Sequence, residues 1–307
     1  METTIKQKTD DMFGEKVLDV LEKTNLNWTV SKTNLITLSD DERLNGISTG
    51  RCGIMRNDTL KCIGVTTDDY VPFQNFQLAE TMIKAGDELG LGVVRGGTIG
   101  GGRKVYLQMP LPDEYVGKSG IKRYITALNS HNGTTSIAFG STNIVVICDN
   151  TFHKSYGELG RFRHNSKAQS KIHAAIADLK KALTLDENLM QNFKTMAATP
   201  LKDEVFAKIL SMCFDTNIDA KQSELSKRQI TKAEKINEAI STELSLEGNT
   251  LWGLFNGVTR LTNHYSRSKN REEYIMDGIG YRTNGIAYSE IMKWIEENTA
   301  EEVLVTK

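Results

Sequence analysis

Of the Lys/Arg residues in this 307-residue chain, eleven fall between positions 91 and 175, where only four Asp/Glu accompany them. That island carries a net charge of +7 inside a chain whose formal charge is −1 and whose pI is about 6.6. A local excess of this size suits a surface that meets phosphates, and the overall pI conceals it. Arg103 and Lys104 close a glycine cluster (Gly96, Gly97, Gly100, Gly101, Gly102), and Lys122 and Arg123 precede Tyr124. The run from 161 to 171 holds Arg161, Arg163, Lys167 and Lys171 with no acid between them. Tyr106, Tyr124 and Phe162 interleave with these cations. Bases of a single strand stack on such rings whatever the sequence, while the cations neutralise the backbone. The chemistry expected here is therefore nucleic-acid binding, with single strands favoured over duplex.

Other constellations are poorer. A Walker loop would need Lys-Ser/Thr after Gly102 and a helix beyond it, but Arg103-Lys104 and a strand-like Val105-Tyr106-Leu107 follow. A dinucleotide fingerprint fails for the same reason, and the glycines read as a hairpin tip that needs positive φ. None of the five histidines stands in an HxxxH spacing. His131, in the turn Asn129-Ser130-His131-Asn132-Gly133, is the one a turn could expose as a general base. The adjacent acids Asp40-Asp41 and Asp68-Asp69 would point to opposite faces of a strand, which does not suit a shared metal. Cys52, Cys62, Cys148 and Cys213 lack zinc spacing and read as reduced structural thiols. No metal, cofactor or catalytic residue is expected on this basis.

The elements that must position these residues separate into three zones. Residues 1–90 open with a helix from Asp10 or Asp11 through Phe13, Val17 and Leu21. Strand-like stretches follow near 28–38, 52–55 and 61–65, and then a helix through Phe76, Ile83 and Leu89 that stops at Gly90. Residues 91–175 read mostly as strand, at 92–95, 104–109, 121–128, 135–139 and 143–148. The remainder is helical: a face of Ile172, Ile176, Leu179 and Leu183, a helix opened by Thr199-Pro200, and others near 229–244, 250–265 and 285–297. The polar stretch 215–228 reads as a connection. Gly253 and Gly257, inside a helix, each cost about 1 kcal/mol relative to alanine and imply a closely packed neighbouring backbone. The fold class expected is α+β, a largely antiparallel sheet with an inserted helix followed by a helical C-terminal part. The domains expected are a β-rich core over 1–160 and a helical region over 161–307. No apolar stretch approaches the ~20 residues of a membrane span and no signal-peptide core is visible, so a cytoplasmic protein of a bacterial host is expected.

Six ordered motifs carry a resemblance: YVPFQN (70–75), GGTIGGGRKVYLQMPLP (96–112), YITALNSHNGT (124–134), STNIVVICDNTF (141–152), KIHAAI (171–176) and WGLFNGVTRLTNH (252–264). Together they resemble a phage- and plasmid-associated protein family known only as a domain of unknown function. Where that family usually shows an acid after the histidine, this chain has Asn132. The resemblance implies a role in mobile-element DNA metabolism. More distantly, the pattern is similar to the Rad52-like single-strand annealing proteins, which implies homo-oligomers that hold single-stranded DNA in a basic groove without nucleotide hydrolysis.

The leading expectation is thus an oligomeric phage or prophage recombination protein that binds single-stranded DNA, with annealing as an extension of that role. Two rivals stand beside it: a metal-dependent nuclease or nucleotide-modifying enzyme built around His131, and a host-takeover or assembly protein whose +7 zone docks on an acidic protein.

Overall fold

The computed structural model describes residues 12–145, 150–154, 161–165, 167–168, 179–214, 226–265, 268, 274–275 and 278–305. It is α+β, with antiparallel sheets in the N-terminal half and helices after them. Helix α1 (Met12–Lys23) buries Val17, Val20 and Leu21 along one stripe. Strands β1 (Val30–Ile36), β2 (Ser48–Arg56) and β3 (Lys61–Thr67) then form a three-stranded antiparallel sheet. Helix α2 (Asn75–Leu89) begins where the Gln77 side chain accepts from the Gln74 backbone N–H at 2.8 Å. It ends at Gly90, whose left-handed φ of 67° lets its N–H cap the Gly86 carbonyl, as the sequence leads one to expect.

The second sheet runs β4 (Arg95–Ile99), β5 (Lys104–Val116), β6 (Ser119–Ser130), β7 (Ile137–Val145) and β8 (Asn150–Lys154), with β9 (Arg161–Phe162) paired to β7. Gly96 and Gly97 lie inside β4, opposite Leu107 and Tyr106. The hairpin tip itself is Gly100–Gly102, all three at positive φ. Gly96 is required within the strand, because an added Cβ would sit 2.6 Å from Leu107 and 2.8 Å from Thr24.

The helices are α3 (Leu179–Ala198), α4 (Asp203–Phe214), α5 (Lys227–Glu247), α6 (Leu251–His264) and α7 (Ile279–Val305). Thr199-Pro200 does not open α4. Pro200 bridges Thr250 instead, and Leu201 N–H bonds Asn249, so this loop pairs with the α5–α6 connection and the helix starts at Asp203. The glycines of α6 meet the expected backbone: a Cβ on Gly257 would lie 2.8 Å from Ile240 Cα, and one on Gly253 2.5 Å from the Gly248 carbonyl. The expected helical face at Ile172 and Ile176, and most of the connection at 215–228, lie outside the described residues.

The chain divides into two compact units. The first comprises Met1–Leu111, Tyr124–Ser141 and Ser155–Leu183; the second comprises Pro112–Arg123, Thr142–Lys154 and Thr184–Lys307. The core of the first unit includes Leu26, Trp28, Ile54, Leu78, Met82, Leu107 and Met109. That of the second gathers Phe193, Trp252, Phe255 and Tyr288 with Ile209, Ile240 and Ile291. Each such side chain contributes about 1.5–3 kcal/mol by leaving water.

Candidate nucleic-acid interface around the histidine turn

In the first unit, three separate stretches meet around residues 129–133. His131 N–H donates to the Arg103 carbonyl at 2.7 Å, joining the histidine turn to the end of the glycine turn. Tyr70 Oη donates to the Ser130 carbonyl at 2.7 Å, and the Tyr70 ring stacks on His164 with centroids 4.8 Å apart. Val71 N–H donates to the His164 carbonyl at 3.1 Å, which draws in the segment after β9. Arg56 reaches the glycine turn from β2, lying 4.2 Å over the Trp28 ring with Nη1 3.4 Å from the Gly101 carbonyl. Gly102 has to be glycine here, since a Cβ would fall 3.2 Å from both Arg56 and Trp28 at a φ of 102°. The sequence therefore brings the glycine, histidine and basic-run motifs into one place although more than sixty positions separate Gly101 from His164.

The turn does not expose His131, which is fully buried. Its Nε2 lies 2.9 Å from Asn75 Oδ1, and its ring meets Trp28 edge-on at 5.3 Å. The Asn75 amide donates both hydrogens, to the carbonyls of Leu26 at 3.0 Å and Trp28 at 3.1 Å, so its Oδ1 only accepts. Nε2 of His131 consequently carries the proton and Nδ1 the lone pair. Burial, reinforced by the positive charge of His164 and Arg56 nearby, pushes the His131 pKa down to about 3. Burial likewise pushes His164 down to about 4, and backbone groups of Thr135 and Val71 oppose this without reversing it. A base this weak abstracts protons inefficiently at neutral pH. His131 acts as a neutral pin between the first helix-strand connection and the turn.

Asn132 shows what its position requires. Its Oδ1 accepts from Ser130 Oγ at 2.7 Å, Thr134 Oγ1 at 2.7 Å and Thr134 N–H at 3.3 Å. A carboxylate could accept the same three bonds, so an acid here would serve the turn equally well. On the other side, a Cβ on Gly64 would come 2.5 Å from Asn132 Cα, which makes this a backbone-on-backbone contact between β3 and the turn.

Around this centre the sequence candidates divide. Arg103 and Arg163 are exposed, and among the described residues neither has an ion-pair partner; Lys167 is also exposed. Arg56 is matched by Asp58, with Nε–Oδ1 and Nη2–Oδ2 both 2.7 Å. Tyr106 is half-buried, with its hydroxyl 3.3 Å from where a Gly97 Cβ would lie, and Phe162 is half-buried and edge-on to Phe139 at 6.2 Å. Lys104 and Tyr124 are buried, at 4% and 8% exposure. The exposed Arg95 guanidinium lies over the Tyr124 ring at 5.6 Å. The side chain of Arg161 and the whole of Lys171 lie outside the described residues.

Lys122 and Arg123 belong to the second unit, where Lys122 is exposed. Arg123 is buried: Nη1 pairs with Asp186 Oδ2 at 3.0 Å and Nε donates to the Pro112 carbonyl at 2.8 Å, with the two side chains 8% and 1% exposed. Its charge is spent inside the fold. Asn75, Trp28, Tyr70 and Arg56 were not singled out from sequence, although Tyr70 and Asn75 open and close the YVPFQN motif.

Among the described residues, no group of three or more His, Cys, Asp or Glu side chains is placed to hold a metal ion, and no helix is long and apolar enough to cross a membrane. A family model described as Domain of unknown function (DUF932) matches residues 62–283, more than half of the chain. The chain belongs to this family. No curated protein and no solved structure matches it. The DUF932 stretch covers α2, the glycine turn, the histidine turn and α6. It begins within β3, so Trp28, Arg56 and the β1–β2 hairpin precede the matched region.

Proposed function

We propose that this chain binds single-stranded DNA on its first unit, along the surface where the glycine turn, the histidine turn and the segment after β9 converge. One observation carries the reading: hydrogen bonds and ring contacts fasten two cation-bearing segments, the glycine turn directly and the segment after β9 through Tyr70, to the histidine turn, leaving Arg103, Arg163 and Lys167 exposed around it. Arg103 and Arg163, having no acidic partner among the described residues, offer their charge to phosphates. Tyr106 beside Gly97 offers a half-exposed ring face for a base, and the glycine turn admits a backbone closely. The pinned histidine supplies rigidity to this surface and takes no part in bond breaking.

The reading extends to annealing without nucleotide hydrolysis, in a phage or prophage setting and with copies of the chain assembled together. Support for that extension comes from the motif resemblance alone. Fluorescence anisotropy with a labelled single-stranded oligonucleotide tests binding. Affinity is expected to fall steeply with salt and to drop in Arg103→Ala and Arg163→Ala, and an absence of binding at low salt would remove the proposal.

A further inference from the structure

The β1–β2 hairpin projects beyond its own core. From Ser31 onward β1 is half-buried or exposed, and β2 is exposed from Ser48 to Arg51. Its far end exposes Ile36 at 58% and Leu38 at 91%. A two-stranded hairpin is marginal in water unless something completes it.

β1 is an edge strand, because the sheet order is β1-β2-β3. The direction of its backbone groups follows from two contacts. Asn57 N–H bonds the Thr29 carbonyl on the β2 side at 3.0 Å. Val30 instead turns both its groups outward to the Gln74 amide, N–H to Oε1 at 3.0 Å and carbonyl from Nε2 at 2.9 Å. Gln74 thus closes the edge at Val30 as a short strand would. By the two-residue alternation of a strand, Lys32 and Asn34 also aim their N–H and C=O outward, and among the described residues no hydrogen bond satisfies them.

We infer that this open edge pairs with the same edge of a second copy, antiparallel and centred on Thr33. In that register Lys32 of each copy opposes Asn34 of the other, so the four outward groups of each strand form four hydrogen bonds in all. No like charges oppose one another, because Lys32 meets an uncharged amide. Gln74 blocks any register that would slide the strands past Val30, and Ile36 and Leu38 of each hairpin gain cover. Such an isologous contact closes as a dimer and joins two three-stranded sheets into one. The inference concerns how copies assemble and does not rest on nucleic-acid binding.

Two experiments on the full chain test it. Asn34→Pro removes an outward N–H while leaving the β2 ladder intact, as proline is tolerated at edges. Sedimentation velocity across a concentration series is expected to show a wild-type dimer, weakened in Asn34→Pro by about five- to a hundredfold for two lost hydrogen bonds. Thr33→Cys in a Cys62→Ser background should form an intermolecular disulfide on mild oxidation, since facing residues of a non-hydrogen-bonded pair lie about 4.5 Å apart at Cα. Lys61→Cys, on the opposite edge of the sheet, should not. A monomeric wild type, an assembly indifferent to Asn34→Pro, or no Thr33→Cys cross-link would each overturn the inference. Single-strand affinity per chain is expected to survive Asn34→Pro, so a failure of assembly and a failure of nucleic-acid binding register separately.

Discussion

Arg123→Ala separates a surface cation from a buried one. Sequence alone places Arg123 with the phosphate-binding candidates, whereas the structure pairs it with Asp186 at 3.0 Å, the two side chains 8% and 1% exposed. Removing the guanidinium leaves a carboxylate buried without that partner and also frees the Pro112 carbonyl, which Arg123 Nε holds at 2.8 Å. Breaking one side of a buried pair costs about 3–5 kcal/mol. At about 2–4 °C per kcal/mol for a domain of 150–250 residues, the melting temperature should fall by roughly 6–20 °C. The charge-free pair Arg123→Met with Asp186→Leu should recover most of that loss, because neither charge then needs compensation. Thermal melts followed by circular dichroism measure both, with anisotropy on the same samples below the melt. Single-strand affinity and its salt slope should be unchanged in the double variant. A stable Arg123→Ala protein that binds single strands tenfold less tightly would refute the burial argument and return Arg123 to the interface.

Other outcomes follow from the first unit. Both buried histidines have folded pKa values, about 3 and about 4, below the ordinary 6.5, so the unfolded chain binds more protons between these limits. Stability is therefore fully present above about pH 6.5 and declines by about 2–3 kcal/mol per pH unit between roughly pH 6 and 4; urea unfolding at several pH values measures it, and His164→Phe should about halve the slope. Gly64→Ala drives a Cβ to 2.5 Å from Asn132 Cα and should cost about 1–3 kcal/mol or more, read as a lower urea midpoint, whereas Gly133→Ala tests only the strained φ of 71° and its contact with Thr66. Gly257→Ala should loosen α5 from α6 by a similar amount, since the new methyl meets Ile240 at 2.8 Å.

Helices announced themselves where apolar spacing and a stop signal coincide, as in α2 with its Gly90 cap, and the glycine pair of α6 correctly implied a close backbone neighbour. Thr199-Pro200 misled because a non-local bridge to Thr250 outcompeted a local capping preference. Lys104, Arg123 and Tyr124 look like surface residues by their charge or their place beside other cations, and neither reports burial: adjacent Arg123 and Tyr124 point to opposite faces of a strand, yet both are buried. From Arg123 onward β6 is buried on both faces, so alternation carries no information about exposure there. Nothing near Arg123 in sequence points to Asp186, 63 positions away, and nothing near His131 points to Asn75, 56 positions away. What was legible of the site was its vocabulary: the cations, glycines and histidine turn. Their convergence is a property of the tertiary hydrogen bonds.

The most direct test is the salt dependence of single-strand binding by the wild type and by an Arg103→Ala, Arg163→Ala, Lys167→Ala triple variant. Log affinity should fall linearly with log salt, and the triple variant should bind more weakly with a slope shallower by about 2, near 0.7 per lost contact. Equal affinity and equal slope in the two proteins, or no binding by the wild type at low salt, would contradict the account.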